Sequence, residues 1–164
     1  MLSVIRRLTL TAVVIVFAVP IGLLAQQPEA AIGVWKLNLE KSAYDPGPPP
    51  KSETRTWEDR GGGAVVFTVE GINAQGTPTF NSYTFKNDGK EYPMPASSPE
   101  RKNSVSLNQI DPYTVHFTNK VNGRVNNECT RTVSKDRKTL TLRCTGTNVQ
   151  GRPFKNVGVY DRQQ

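Results

Sequence analysis

The sequence predicts an all-β domain, an antiparallel up-and-down meander of about 8–10 strands closed into a barrel. Three observations predict it. Short runs of alternating apolar and polar residues follow one another from Ile32 to Asp161, each ended by Gly, Pro, Asn or Asp. No stretch carries a helical period over three turns. The two cysteines of the chain fall opposite each other in one hairpin.

That hairpin spans Val125 to Thr147 around the polar turn Lys135-Asp136-Arg137-Lys138. Folding about the middle of the turn sets Val133 against Leu140, Arg131 against Leu142 and Cys129 against Cys144. Directly opposed positions in an antiparallel pair bring Cβ atoms to roughly 4.5–5.5 Å, at the upper edge of what a disulfide tolerates. A Cys129–Cys144 disulfide would add about 3 kcal/mol by restricting the unfolded chain. Two buried free thiols are the other reading. Two cysteines and the single histidine, His116, lack metal-ligand spacing, and no metal or cofactor is expected.

The first 25 residues read as a signal peptide. Arg6-Arg7 precede an apolar run from Leu8 to Leu24, and Ala25 offers a small residue at a cleavage point. An uncleaved N-terminal membrane anchor is the alternative, since the run is near the lower limit of a span. The domain expected beyond it is 30–162, and the localisation expected is secreted or periplasmic. Without residues 1–25, which hold two arginines and no acid, the formal charge falls from +7 to +5. The remaining bases are scattered apart from those on the hairpin turn, and no nucleic-acid motif accompanies them, so no nucleic-acid partner is expected. Contact with a membrane is expected only through the signal segment.

The rest of the chain is taken in order. Ile32 to Glu40 alternates, with Trp35, Leu37 and Leu39 facing in. Lys41 to Pro50 holds too many prolines for a central strand or a helix and reads as an extended crossing loop or lid, or as a proline-rich peptide for a partner. Ser52–Glu58, Ala64–Glu70 and Thr79–Lys86 are three strands, and Asn87-Asp88-Gly89 signals a hairpin into a short return, Lys90 to Tyr92. Ser104–Ile110 and Tyr113–Lys120 form a further hairpin, and Pro153–Asp161 is the last strand. Glu70 to Pro78 matches Thr145 to Pro153 at a constant offset, and Thr54-Arg55-Thr56 matches Thr130-Arg131-Thr132. The fixed spacing favours duplication of a three-strand unit; shared turn chemistry is the other explanation.

The ends of the domain carry a resemblance. Gly33-Val34-Trp35 resembles the Gly-x-Trp motif of lipocalins. Gly33 to Leu37 with Val159-Tyr160-Asp161-Arg162 resembles the two ends of intracellular fatty-acid-binding proteins. The whole run is similar to lipocalin-like proteins of secreted bacterial sets. The resemblance implies that Trp35 plugs one end of the barrel with Arg162 lying over its ring. It also implies a ligand role for Tyr160. The chain departs from the fatty-acid-binding pattern at Gly158, where that family places an arginine two residues before the tyrosine, and in having a proline loop in place of a two-helix lid.

Two functions remain open. One is a carrier of a small apolar or amphiphilic, anionic ligand. The other is a filled barrel serving as a structural or protein-interaction module, with Trp35, Leu37, Phe67, Phe80, Tyr83 and Phe85 among the bulky inward residues. No nucleophile elbow, phosphate loop or paired-carboxylate motif appears, and His116 points outward between Val115 and Phe117, so no enzyme is expected. The handle for binding is Arg131, on the face of Cys129 and Leu142, and its counterpart Arg55, on the face of Trp57. A charge on an apolar inner face must be paired or solvated. A ligand carboxylate or phosphate would satisfy these arginines, as would an internal ion pair with Glu53 or Glu128.

Overall fold

Alternation turns almost every run read above into a strand. A computed structural model describes residues 29–148 and 150–164, and the expected signal segment lies outside the described residues. The strands are β1 (Gly33–Leu37), β2 (Ala43–Asp45), β3 (Ser52–Asp59), β4 (Val65–Ile72), β5 (Pro78–Phe85), β6 (Asp88–Met94), β7 (Asn103–Asp111), β8 (Thr114–Val121), β9 (Arg124–Val133), β10 (Thr139–Thr147) and β11 (Pro153–Arg162). All pairings are antiparallel, in the order β5-β4-β3-β1-β11-β10-β9-β8-β7-β6, with β2 beside β11. The sheet curls into a nearly closed barrel whose seam lies between β5 and β6, which approach without forming a ladder.

The stapled hairpin takes the expected register: Val133 opposes Leu140, Arg131 opposes Leu142 and Cys129 opposes Cys144. The cysteines are joined, with Cα atoms 4.1 Å apart. The same parity buries Cys129, Arg131, Val133, Leu140 and Leu142 on the inner face.

The structure differs from these expectations at several places. The strand read from Ile32 to Glu40 stops at Leu37, and Leu39 is exposed in a single 3-10 turn. Asn38 causes the break: its side chain donates to Asp161 at 2.6 Å and accepts from the Lys41 amide, capping the turn. The chain then rejoins β11 as β2, with Ser42 Oγ taking the Val159 amide in between. This short strand, inside the proline-rich stretch, makes eleven strands where about 8–10 were expected. Phe80 is 72% exposed rather than inward, because alternation from Phe85 and Tyr83 puts Asn81 inside. The Asn87 to Gly89 turn does not pair β5 with β6. Asn87 instead donates to Glu29 and Gln109, and the chain passes on to pair β6 with β7. His116 lies half-buried beside Thr130, its Nδ1 3.4 Å from the hydroxyl.

The repeated segments form the same turn twice. Asn73 Oδ1 accepts from the amides of Gln75 and Thr77, and Asn148 Oδ1 accepts from those of Gln150 and Arg152, all at 2.9–3.0 Å. The two three-strand units, β3-β4-β5 and β9-β10-β11, stand on either side of β1.

Candidate functional site

One end of the barrel is closed by the chain segment ahead of β1. Ala30, Ala31 and Trp35 are buried there, and the indole Nε1 donates to the Ala31 carbonyl at 2.7 Å. Trp35 pairs in register with Arg162, whose guanidinium sits 4.7 Å over the indole ring and donates to the Ile32 carbonyl. Gly33 makes room for it. A Cβ there would lie 3.1 Å from Arg162 Nη2, and its φ of +129° suits glycine alone. The Gly33-Val34-Trp35 motif is thus a seat for the Arg162 guanidinium over the ring.

Glu29 extends this floor inward. Its carboxylate lies 2.8 Å from Arg131 Nη2, and both side chains are almost fully buried. Arg131 also lies over the Trp57 ring, 5.1 Å from its centre. Burial pushes the Arg131 pKa down, against the pull of Glu29. Of the two explanations open for this arginine, the structure has the ion pair, but with Glu29 rather than Glu128. Nothing in the sequence pattern marks that contact, because the partners lie on separate elements far apart in the chain.

Above the floor is a cavity of about 640 Å³. Its aromatic wall runs along β3, β4 and β5, with successive ring centres of Trp57, Phe67, Tyr83 and Phe85 separated by 4.8, 5.3 and 5.9 Å. Facing it are Leu140, Leu142 and the Cys129–Cys144 disulfide. Pro48 and Pro50 of the crossing loop and Asn73 of the β4–β5 turn line the end away from Trp35. Part of the proline stretch thus lines the cavity.

A polar cluster stands in the middle of the wall. Arg55 Nε contacts Glu53 Oε1 at 2.7 Å, and the Tyr160 hydroxyl donates to the same oxygen at 2.5 Å. The Arg55 guanidinium lies 5.2 Å from the Tyr160 ring centre and 5.7 Å from that of Phe67. Burial acts to raise the Glu53 pKa, but Arg55 and the Tyr160 hydroxyl outweigh it and leave the carboxyl below its ordinary value. Burial drives the phenols the other way: Tyr83 is pushed up to about 12, and Tyr160 is raised further. Tyr160 reaches Glu53 by folding back over Gly158, where a Cβ would meet its ring at 2.9 Å. A side chain at position 158 would have to displace this tyrosine ring, and in this chain the arginine beside Tyr160 is Arg55 of β3.

Arg55, Trp57, Arg131 and Tyr160 therefore all line one cavity, while Trp35 and Arg162 seal its floor. Sequence reasoning did not single out Tyr44, Asn81 or Glu29. Asn81 had a legible signal, being an even number of residues from Tyr83 and Phe85 on one strand.

The chain matches no protein-family model, and no curated protein matches it in sequence. Solved structures do resemble it in fold. The fluorescent protein UnaG shares 16% identity and a TM-score of 0.54, over 80% of this chain and 96% of that one. Fatty-acid-binding protein 1 of Echinococcus granulosus shares 15% identity and a TM-score of 0.53, over 83% and 99%. Zebrafish ileal bile acid-binding protein, solved with cholic acid, shares 14% identity and a TM-score of 0.50, over 82% and 99%. The fold shared with these structures is a nearly closed antiparallel β-barrel.

Proposed function

We propose that this barrel takes up one small apolar or amphiphilic molecule between its aromatic wall and its stapled hairpin. The observation that carries the reading is the cavity itself: about 640 Å³, walled by rings, with the Glu53–Arg55–Tyr160 cluster and a few further polar side chains in its lining. That volume and that mixture of many apolar groups with few polar ones suit a single small ligand. They favour a carrier over a filled structural barrel, because Trp57, Phe67, Tyr83 and Phe85 line the cavity wall without filling the space. The fatty-acid- and bile-acid-binding proteins of like fold add support. Binding is favoured over catalysis because the cavity carboxylate Glu53 and the phenols of Tyr83 and Tyr160 all shift away from neutrality, which suits held hydrogen bonds rather than proton transfer.

The disulfide and residues 1–25 support an exported protein, and N-terminal sequencing of the chain from an extracytoplasmic fraction would test this. For binding, the full chain is exposed to a lipid extract, repurified and weighed by native mass spectrometry. A retained small mass, lost on denaturation, is expected. Recovery of the bare protein alone would overturn the reading.

A further inference from the structure

We propose that the open end of the barrel docks on an anionic lipid surface, with Phe80 entering the interface and Lys51, Arg101, Lys102, Arg124 and Arg152 meeting the head groups. The inference goes beyond the binding reading and does not depend on it. It starts from the way an up-and-down meander sorts its connections. Successive turns alternate between the two ends, so bases scattered along the sequence are collected at one of them. Lys51 precedes β3, Arg101 and Lys102 end the β6–β7 loop, Arg124 follows the β8–β9 turn and Arg152 lies in the β10–β11 turn. All five stand at the end away from Trp35, around the mouth of the cavity. None of them is in an ion pair among the described residues, and all but Arg101 are exposed. The acids near this end do not match them. Asp45 faces Lys155 across the β2–β11 pair, Glu70 faces Phe80, Glu91 is taken by Lys120, and Glu100 adjoins Arg101. At the Trp35 end, by contrast, Glu58, Asp59, Asp88, Asp111 and Asp136 are interleaved with the bases, and Glu58 is paired with Arg60.

Charge alone would suit any polyanion. The apolar side chains at the same end select lipid. Phe80 stands at the cavity mouth and is the most exposed large hydrophobic residue among those described. Val125, directly after Arg124, is 58% exposed, and Ile72 ends β4 in the open. Exposed apolar groups set among bases mark a surface that lies on a membrane: the apolar groups enter the head-group boundary while Lys and Arg hold the anionic lipids. The arrangement points the same way. The five bases come from four connections spaced around the strand order, so they ring an opening and form neither a groove nor a stripe. A flat anionic sheet meets all four connections at once, whereas an extended acidic chain would follow one side of the ring.

The test uses the full chain carrying Phe80→Trp, whose indole reports on the mouth while Trp35 and Trp57 stay buried. Vesicles are made of phosphatidylcholine alone or of an equal mixture with phosphatidylglycerol, with brominated acyl chains that quench an inserted indole. Quenching at position 80 is expected on the mixed vesicles and not on phosphatidylcholine alone. Each base near an anionic leaflet is worth about fivefold in affinity, so Lys51→Gln, Lys102→Gln and Arg124→Gln together should raise the lipid concentration for half-quenching about a hundredfold. Lys135→Gln, Arg137→Gln and Lys138→Gln together remove the same charge at the other end. They should change it by no more than about twofold, because charge beyond a Debye length from the lipid is screened. Equal weakening by both triple variants would mean attraction by net charge alone and would overturn the inference. Equal quenching on both kinds of vesicle overturns it too. So does a chain that collects on vesicles with position 80 unquenched, as attachment through residues 8–24 alone would leave it. An unquenched protein retained on polyglutamate overturns it as well and assigns the surface to an acidic protein. The contrast between the two vesicles in Phe80→Trp alone decides the matter should either triple variant fail to fold.

Discussion

Arg55 sits on β3 and Arg131 on β9, each in the middle of a Thr-Arg-Thr triplet, each facing inward and each against a glutamate. Their surroundings differ. The Arg55 and Glu53 side chains are 18% and 19% exposed, and those of Arg131 and Glu29 are 3% and 8%. Burial tends to lower both arginines; at Arg55, Tyr160 and Glu53 more than offset it, whereas at Arg131 it prevails. The acids also come from different places. Glu53 is two residues before Arg55 on the same face of the same strand, whereas Glu29 arrives on a separate segment that closes the floor. Depth along the barrel thus divides two similar three-strand units. Both arginines line the cavity, and Arg131 also pins the plug.

The largest effect expected from this difference is on stability. Glu29→Gln leaves a fully buried guanidinium without its counter-charge and should cost about 3–5 kcal/mol. Glu53→Gln should cost less, about 1–2 kcal/mol, since Arg55 can turn toward the cavity and Tyr160 keeps an acceptor. Urea unfolding midpoints of the two variants measure both. Equal losses would show that depth does not separate the two pairs.

The hairpin staple marks a second difference. Cys129 stands two residues before Arg131, where the first unit has Glu53 before Arg55. Replacing both Cys129 and Cys144 by Ala should therefore loosen the second unit alone and cost about 3 kcal/mol by the chain-entropy argument for a loop of this length. The comparison to make is urea unfolding of the double variant against the oxidised and the reduced parent. The reduced parent should fall close to the variant. An unchanged midpoint in all three would mean that the hairpin holds its register without the crosslink.

The parts of this molecule that were legible in the sequence are the parts set by period two. Cys129 and Cys144 were placed together because a symmetric fold about the Lys135–Lys138 turn fixes the register, and one slipped residue would have sent Leu140 and Leu142 to solvent. Trp35 and Arg162 came from the resemblance at the two ends of the domain. What escaped was decided by contacts across the fold. Asn38 ends β1 because Asp161 lies beside it on β11. The Asn87 turn fails to close a hairpin because Glu29 and Gln109 take its amide. Glu29 itself lies four residues beyond the expected signal segment, and no periodicity marks it as the partner of an arginine in β9. Phe80 was legible and misassigned: the alternation that places Tyr83 inside places Phe80 outside.

The smallest effect expected is that of acid on the Arg55 unit. Glu53 has a folded pKa below its ordinary value of 4.5, because Arg55 and the Tyr160 hydroxyl favour the carboxylate more than burial disfavours it. A depressed carboxyl stabilises the fold fully above its unfolded pKa and loses that contribution as the pH falls through the folded pKa. The stability gap between the parent and Glu53→Gln should therefore stay level from pH 7 down to about the ordinary carboxyl value and shrink below it. Unfolding curves at half-unit pH steps would trace the gap. A gap that widens with acid would mean that Glu53 takes up its proton more readily folded than unfolded. Arg55 would then lose its charged partner at a higher pH than the unfolded chain would, and the cavity would gain positive charge as the pH falls.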